Sequence, residues 1–151
     1  MPKIIISDTS CFIVLSNINE LEILQKVYNK IITTSDIVSE YGDVLPHWVE
    51  IQNAEDKYSQ QLLEMQIDKG EASAIALAME NTGCTLILDD YKARKIAEKL
   101  GIDITGTIGV IIKAKLKGII PSIKPLLEKI RHTDFRLSAE IEILALKEAC
   151  E

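Results

Sequence analysis

The sequence is poor in cysteine and in aromatic residues, and both shortages narrow the class of protein. Its three cysteines, Cys11, Cys84 and Cys150, are far apart and form no CxxC pair, which argues against a zinc ribbon and against a disulfide scaffold. A few separated cysteines are typical of proteins in a reducing cytoplasm. Because aromatics make up only 5% of the chain, the core must consist mainly of Ile, Leu, Val and Ala, for which the hydrophobic content of 47% is sufficient.

Long apolar runs and a basic excess are also missing. No run is long enough to cross a membrane, and the one near the start of the chain is too short for a signal peptide. The net charge of −6 is unlike that of most nucleic-acid-binding proteins, although local basic stretches at residues 91–99 and 113–118 can still bind phosphates. Taken alone, each stretch is more often the solvated face of a helix. We expect a cytoplasmic protein without a membrane partner.

Short β-rich runs alternate with helical patterns along the chain. Strands are predicted at residues 3–7, 30–34, 85–88 and 102–105. Helices are predicted at residues 10–18, 21–29, 35–41, 55–67, 68–83, 93–100, 107–118, 122–130 and from 138 onward. Strands separated by helices imply parallel pairing through crossovers. We therefore predict one α/β domain over residues 1–151, a three-layer helix–sheet–helix sandwich with a central parallel sheet of about four to five strands.

Three local features refine this prediction. Ser10 is a plausible cap for the first helix, and Gly42 ends the helix that begins near Ser35. In the segment 55–67, Tyr58, Leu62 and Met65 are spaced as one apolar helix face. Residues 43–53, which include Pro46, His47 and Trp48, show no period and are predicted to form a loop.

Acidic residues fall where the predicted strands end. Asp8 follows the first strand, Glu40 lies in the helix after the second, and Asp89 and Asp90 follow the third. Carboxyl ends of parallel strands and the starts of the helices that follow them lie at one edge of a sheet, so these acids can converge. Glu71 is harder to place, because its helix precedes a strand and would normally begin at the opposite edge.

Each acid also has a purely structural explanation. Asp8 can cap the first helix, and Asp90 can cap the helix that follows it. Glu40 can be a solvated helix residue, and Asp68 with Glu71 has the spacing of a capping box. Because Asp90 directly precedes its helix, it is the natural cap, which favours Asp89 as the functional member of that pair; both are retained as candidates.

Convergence of these acids requires a compensating charge. Two carboxylates about 4 Å apart repel by roughly 1 to 4 kcal/mol, and a domain is stable by only about 5 to 15 kcal/mol. A cluster of four persists only if a cation neutralises it or if some acids stay protonated. Oxygen ligands suit Mg²⁺ or Mn²⁺ and not zinc. Such a metal would activate water and stabilise charge on a phosphate oxygen, as in metal-dependent nucleases.

Five motifs carry a resemblance to a known family. They are IIISDTS, TTSDIVSEYG, DKGEASAIALA, LILDDYKARKIAEKLGI and GTIGVIIKAKLKGII, in this order from residue 4 to about residue 120. The chain resembles the PIN domain family, the fold of the VapC-type toxin ribonucleases, and most closely the small, unassigned PIN-like proteins of bacteria and archaea. The resemblance implies a metal site formed by Asp8, Glu40, Glu71, and Asp89 or Asp90, because the family fold brings the helix of Glu71 to the site.

The resemblance also implies residues around that site. Thr9 and Ser10 match hydroxyls beside the first acid, and Thr107 matches a small-residue turn that touches substrate. Candidates for contacts to backbone phosphates are Lys92, Arg94 and Lys113. The loop at 43–53 matches no functional element of the family: a lone Trp48 is more often a core plug or dimer contact than a base-stacking residue, and His47 is expected on the surface.

These features lead to one main prediction and two alternatives. The main prediction is a Mg²⁺- or Mn²⁺-dependent endoribonuclease that hydrolyses RNA. It is also expected to be the toxin of a toxin–antitoxin pair, a homodimer with a small antitoxin protein as partner. The first alternative is a catalytically silent PIN-like module that binds nucleic acid or protein. A phosphoacceptor receiver domain is weaker, because an acid pair is expected after its first strand and this chain has only Asp8 there.

Overall fold

A five-stranded, all-parallel sheet forms the centre of the structure, a computed structural model that describes residues 3–151. The strands are β1 (Ile5–Ser7), β2 (Ile31–Thr33), β3 (Val49–Ile51), β4 (Thr85–Ile87) and β5 (Asp103–Thr105), in the spatial order β3-β2-β1-β4-β5. The helices are α1 (Thr9–Asn17), α2 (Ile23–Tyr28), α3 (Ser35–Tyr41), α4 (Lys57–Glu64), α5 (Lys69–Met79), α6 (Tyr91–Lys99), α7 (Thr107–Leu116), α8 (Lys124–Arg131) and α9 (Ala139–Glu148). Between residues 3 and 151 no helix is both long and apolar enough to span a membrane. The helices flank the sheet in a three-layer α/β sandwich, which confirms the predicted fold class.

The central strands are buried on both faces, as their uninterrupted apolar sequences predict. Ile6 of β1 pairs with Ile32 of β2 on one side and with Leu86 of β4 on the other, and all three are buried. The alanine-rich helix α5 packs against β1 and β4. Small side chains on α5 let its backbone lie close to the sheet, and almost the whole helix is buried.

Residues 43–53 are not entirely a loop, and this part of the prediction is wrong. They contain the edge strand β3, which pairs in parallel with β2 from Ile31↔Val49 to Thr33↔Ile51. The strand has only three residues and lies at the edge of the sheet, so its apolar–polar–apolar sequence is too short an alternation to predict a strand. Trp48, next to it, packs half-buried against the core, and His47 is exposed.

Helix α4 lies where its apolar spacing predicts a helix, but this apolar face is turned outward. Tyr58, Leu62 and Met65 are 80%, 66% and 81% exposed. The buried residue is Gln60, whose Nε2 donates to Asp36 Oδ2 at 2.8 Å. The period identified the helix correctly, but a period alone does not tell which side packs against α5.

Helix caps settle two of the structural alternatives. Asp8, and not Ser10, caps α1, because Asp8 Oδ1 accepts from Cys11 N at 2.9 Å. Asp90 caps α6 through Oδ2, which accepts from Ala93 N at 2.9 Å. Asp68 precedes α5 without a side-chain cap bond, so the predicted capping box lacks its first half.

Candidate functional site

Asp8 and Asp89 lie side by side because β1 and β4 are neighbours. The register pairs Ser7 with Ile87, and the chain leaves both strands at the same edge. Asp8 Oδ2 accepts from Asp89 N at 2.9 Å, while its Oδ1 caps α1. Only 3% of Asp8 is exposed, so two backbone N–H groups hold a buried carboxylate in one orientation.

The carboxylate of Asp89 accepts hydrogen bonds from one residue of α1 and one residue of α7. Thr107 donates to it twice, from N to Oδ1 at 2.8 Å and from Oγ1 to Oδ2 at 2.6 Å. Ser10 Oγ donates to Oδ2 at 2.7 Å. Ser10 and Thr107, both predicted from the resemblance to lie near the site, therefore contact the acid itself and fix its position.

A cleft of about 440 Å³ opens beside Asp8. We call it the acidic cleft; it is lined by Asp8, Thr9, Ser10, Glu40, Asp68 and Glu71, together with Ile13, Val14, Asn17 and residues 133–136. A Cβ atom placed on Gly70 would lie 2.9 Å from Glu40 Oε1. The missing side chain at Gly70 therefore leaves the space that the Glu40 carboxylate occupies.

Helix α4 explains why Glu71 reaches this cleft. Glu80, just after α5, accepts from the backbone N of Glu55 and of Asp56, both at 2.9 Å, so the chain has already crossed to the far edge of the sheet before α4 begins. α4 then returns along α5, and α5 begins at the edge where Asp8 lies. The extra helix thus resolves the difficulty that the order of elements raises for Glu71.

Burial and mutual repulsion raise the pKa values of two of these acids. Burial, followed by the charges of Asp89 and Glu71, raises the pKa of Asp8 well above its usual range, against the lowering effect of its two backbone hydrogen bonds. Burial, followed by the charges of Asp90, Asp68 and Glu40, raises the pKa of Glu71 to about 7. Among residues 3–151, no ion pair involves Asp8, Glu40, Glu71, Asp89 or Asp90. Within residues 3–151, these acidic side chains therefore form a group that no basic side chain neutralises through an ion pair.

The three basic candidates lie in different places. Arg94 donates from Nη1 to Leu88 O at 2.9 Å and lines a second cleft of about 560 Å³. This side cleft is also lined by Asp89, Tyr91, Gly106 and Ile108, and by residues of α9. Lys92 is exposed on α6 and lines neither cleft. Lys113 lines neither, and its Nζ lies 5.0 Å from the centre of the Tyr28 ring.

Residues 133–136, between α8 and α9, line the acidic cleft although the sequence analysis did not single them out. They lie far from Asp8 along the chain and match no motif of the resemblance. Asp68 lines the same cleft and was interpreted as a helix cap only. Only the packing of the last two helices brings the segment 133–136 to the acids, and no pattern in the sequence signals that packing.

The acids fit a hard cation in chemistry and charge but are not assembled around one. In the described part of the chain, no three His, Cys, Asp or Glu side chains are grouped so that they could hold a metal ion. The donors are nevertheless oxygens, which Mg²⁺ and Mn²⁺ prefer, and a cation would relieve the repulsion that, after burial, raises the pKa of Glu71. Beside Asp8, the buried Thr9 Oγ1 has no hydrogen-bond partner among residues 3–151.

Comparison with known families gives one match. A family model described as a PIN domain matches residues 4–151. That range includes every strand and helix described above and all five candidate acids. The comparison with curated proteins finds no match.

Proposed function

The chain belongs to the PIN domain family, and on that premise we propose that it is a Mg²⁺- or Mn²⁺-dependent endoribonuclease. PIN domains are generally nucleases, bind nucleic acid and typically use divalent metals. The observation that carries the proposal is the group of acids at the carboxyl edge of the sheet, which has no ion-pair partner within residues 3–151; burial, followed by the charges of the neighbouring acids, raises the pKa of Glu71 to about 7. Carboxylates arranged in this way are unfavourable for folding alone, which supports a functional reason for them.

The proposed ligands are Asp8, Glu40, Glu71, and Asp89 or Asp90. Hydrogen bonds hold Asp8 and Asp89 in place. Asp90 already caps α6, which favours Asp89 over Asp90 as the ligand. Glu40 and Glu71 have long side chains that can change rotamer to join Asp8. A bound Mg²⁺ or Mn²⁺ supplies activation of water and stabilises charge on the phosphate that is cut.

The surrounding side chains have separate tasks in this proposal. Ser10 and Thr107 fix the orientation of Asp89 through three hydrogen bonds, which keeps one ligand ready for the cation. Glu71 binds and releases a proton near neutral pH in the metal-free protein, because its pKa lies at about 7. Arg94, tied to the carbonyl of Leu88, offers its remaining N–H groups to a phosphate in the side cleft.

Cleavage of circular RNA tests the proposal directly, because a circle has no ends for an exonuclease. We expect the purified protein to convert circular single-stranded RNA to linear fragments with Mg²⁺ or Mn²⁺, and we expect EDTA to stop the reaction. The products are separated by denaturing gel electrophoresis. Circles that stay intact with both metals, or cleavage that EDTA does not reduce, would contradict the proposal.

A catalytically silent PIN-like module is the second candidate, and one observation favours it. The acids described here are not grouped so that three of them could hold a metal without rearrangement. Calorimetric titration separates the two functions: silence at millimolar Mg²⁺ and Mn²⁺, together with intact RNA circles, is the result expected of the silent module.

The proposed role as toxin of a toxin–antitoxin pair, and the homodimer, are further parts of the same proposal. They are supported by the resemblance to VapC-type toxins, and the homodimer also by the exposed apolar face of α4 formed by Tyr58, Leu62 and Met65. A neighbouring small reading frame with a DNA-binding pattern would support the antitoxin. Sedimentation of the purified protein measures the dimer.

Replacement of Gly70 by alanine is expected to lower RNA cleavage at least about tenfold while the protein stays as stable as wild type. The new methyl group would lie 2.9 Å from Glu40 Oε1 and push that carboxylate away, which costs little because the end of a glutamate side chain is flexible. Within a helix, alanine is favoured over glycine by about 0.5–1 kcal/mol. Thermal melting and the circular RNA assay measure the two effects.

Lys69→Ala is the matched control for Gly70→Ala. It places alanine one residue earlier in α5, at an exposed side chain that lines neither cleft, and it removes only the ion pair of 3.8 Å between Lys69 Nζ and Asp36 Oδ1. We expect it to cleave RNA at the wild-type rate. If Gly70→Ala also cleaves at that rate, the position of Glu40 is irrelevant to the reaction, and Glu40 leaves the proposed ligand set.

A further inference from the structure

Phe135 and Arg136 line both the acidic cleft and the side cleft. The two clefts also meet at the acids, because Asp8 lines the first, Asp89 lines the second, and the two are joined by the hydrogen bond of 2.9 Å. A polymeric ligand that passes from one cleft into the other therefore runs between the Asp8–Asp89 pair and the segment that carries Phe135 and Arg136.

The charge of Arg136 sets it apart from the rest of the acidic cleft. Among the described residues that line this cleft, it is the only basic one, against Asp8, Glu40, Asp68, Glu71 and Asp134. No ion pair found within residues 3–151 involves Arg136, and its side chain is exposed. Its guanidinium is therefore available to an anion from outside, and a phosphate accepts two of its N–H bonds in a fixed geometry.

Phe135 is held in place by its own loop. Phe135 N donates to Thr133 Oγ1 at 3.2 Å, and Thr133 Oγ1 donates to Ile130 O at 2.6 Å. The ring is half-buried and packs against the core while it also borders both clefts. A ring that is fixed on one side and open to a cleft on the other is a platform on which an unpaired base can stack.

We infer that Phe135 and Arg136 are substrate-binding residues for single-stranded RNA, which lies across both clefts with its scissile phosphate at the Asp8–Asp89 pair. Arg136 binds a backbone phosphate and Phe135 stacks on a base. Stacking requires an unpaired base, so single strands are cut in preference to duplexes. This inference rests on the proposed function and adds to it the part of the chain that holds the substrate.

Cleavage kinetics test the inference with Arg136→Gln and Phe135→Leu. We expect each variant to raise KM about tenfold and to leave kcat nearly unchanged, because each removes binding without touching the acids. The slope of log(kcat/KM) against log[salt] is negative, and for Arg136→Gln it should become less negative by about 0.7, the contribution of one phosphate contact on a single strand. Arg136→Lys keeps the charge and should restore that slope. Leucine keeps the apolar packing of Phe135, so the variant folds.

Arg131→Gln is the matched control. It removes the same charge five residues earlier in the chain, from a side chain that pairs with Glu128 and Glu142 and lines neither cleft. Its KM and salt slope should equal those of wild type. If wild type cleaves RNA but Arg136→Gln and Phe135→Leu match it in KM and in salt slope, the inference is overturned alone. A higher kcat/KM for Arg136→Gln also overturns it, since Arg136 would then shield the acids. A wild-type protein that cuts no RNA removes the proposed function and this inference together.

Discussion

Replacing Asp8 by asparagine is expected to lower RNA cleavage more than about 100-fold. Side chains that merely support a metal ligand cost about 10- to 100-fold when they are removed, and Asp8 is proposed as a ligand itself. The amide has nearly the shape of the carboxylate but no charge, so it weakens the hold on a divalent cation. The circular RNA assay with Mg²⁺ or Mn²⁺ measures the loss.

The Asp8→Asn variant should still fold. Asparagine is as good a helix cap as aspartate, so its Oδ1 can keep the bond from Cys11 N that begins α1. The bond from Asp89 N is lost, at a cost of about 1–3 kcal/mol, but a buried charge is removed at the same time. Because these effects oppose each other, we expect the melting temperature to stay within about 5 °C of wild type.

Asp43→Asn is the matched control for this experiment. Asp43 lies in the exposed loop after α3, where its Oδ1 accepts from Val44 N, and it lines neither cleft. The same chemical change there should leave cleavage intact. If Asp8→Asn cuts RNA as fast as this control, Asp8 is not part of the site. Asp8→Ser, which can also cap α1, repeats the test should the asparagine variant melt early.

The sequence predicts the centre of the fold and the acid pair well, for a simple reason. β1 and β4 are buried on both faces, so each appears as an apolar run followed directly by its acid. Local patterns therefore place both acids at one edge of the sheet. That β1 and β4 are neighbours, which pairs Ser7 with Ile87 and brings Asp8 to Asp89, is known only from the structure.

The parts that could not be predicted depend on contacts between distant segments. β3 is a strand only because β2 lies beside it, and the side of α4 that packs is chosen by α5. Residues 133–136 reach the acidic cleft through the packing of the last two helices. No period or motif within these segments indicates which other segment it packs against, so local sequence patterns could not place them.

In the metal-free protein, stability is expected to fall as the pH rises from about 4.5 to about 7. The pKa of Glu71 is raised from 4.5 to about 7, so across this range the folded protein keeps a proton that the unfolded chain has released. Stability decreases with pH wherever the folded state binds more protons. The raised pKa of Asp8 acts in the same direction. The pKa of Glu151 is lowered to about 2, so its contribution changes only at lower pH.

Thermal melting in EDTA at pH 5.5 and pH 8 measures this dependence. Glu71→Gln removes the ionising group, so the variant should melt higher than wild type at pH 8 and should show a smaller difference between the two pH values. Asp43→Asn should behave like wild type. An equal melting temperature for wild type at both pH values would mean that burial and the neighbouring acids do not raise the pKa of Glu71 in the folded protein.

Addition of Mn²⁺ should restore the stability that the metal-free protein loses as the pH rises, and the effect should be large at pH 8. A ligand at about 100 times its Kd stabilises the folded state by about 2.7 kcal/mol, which corresponds to a rise of about 5–10 °C for a domain of this size. At pH 5.5 the rise should be smaller, because protons compete with the metal for Glu71 and Asp8. Asp8→Asn and Glu71→Gln should lose most of the rise, and Asp43→Asn should keep it. If stability falls with pH as expected but Mn²⁺ raises no melting temperature, the acids repel one another without binding a metal, and the nuclease proposal gives way to the silent module.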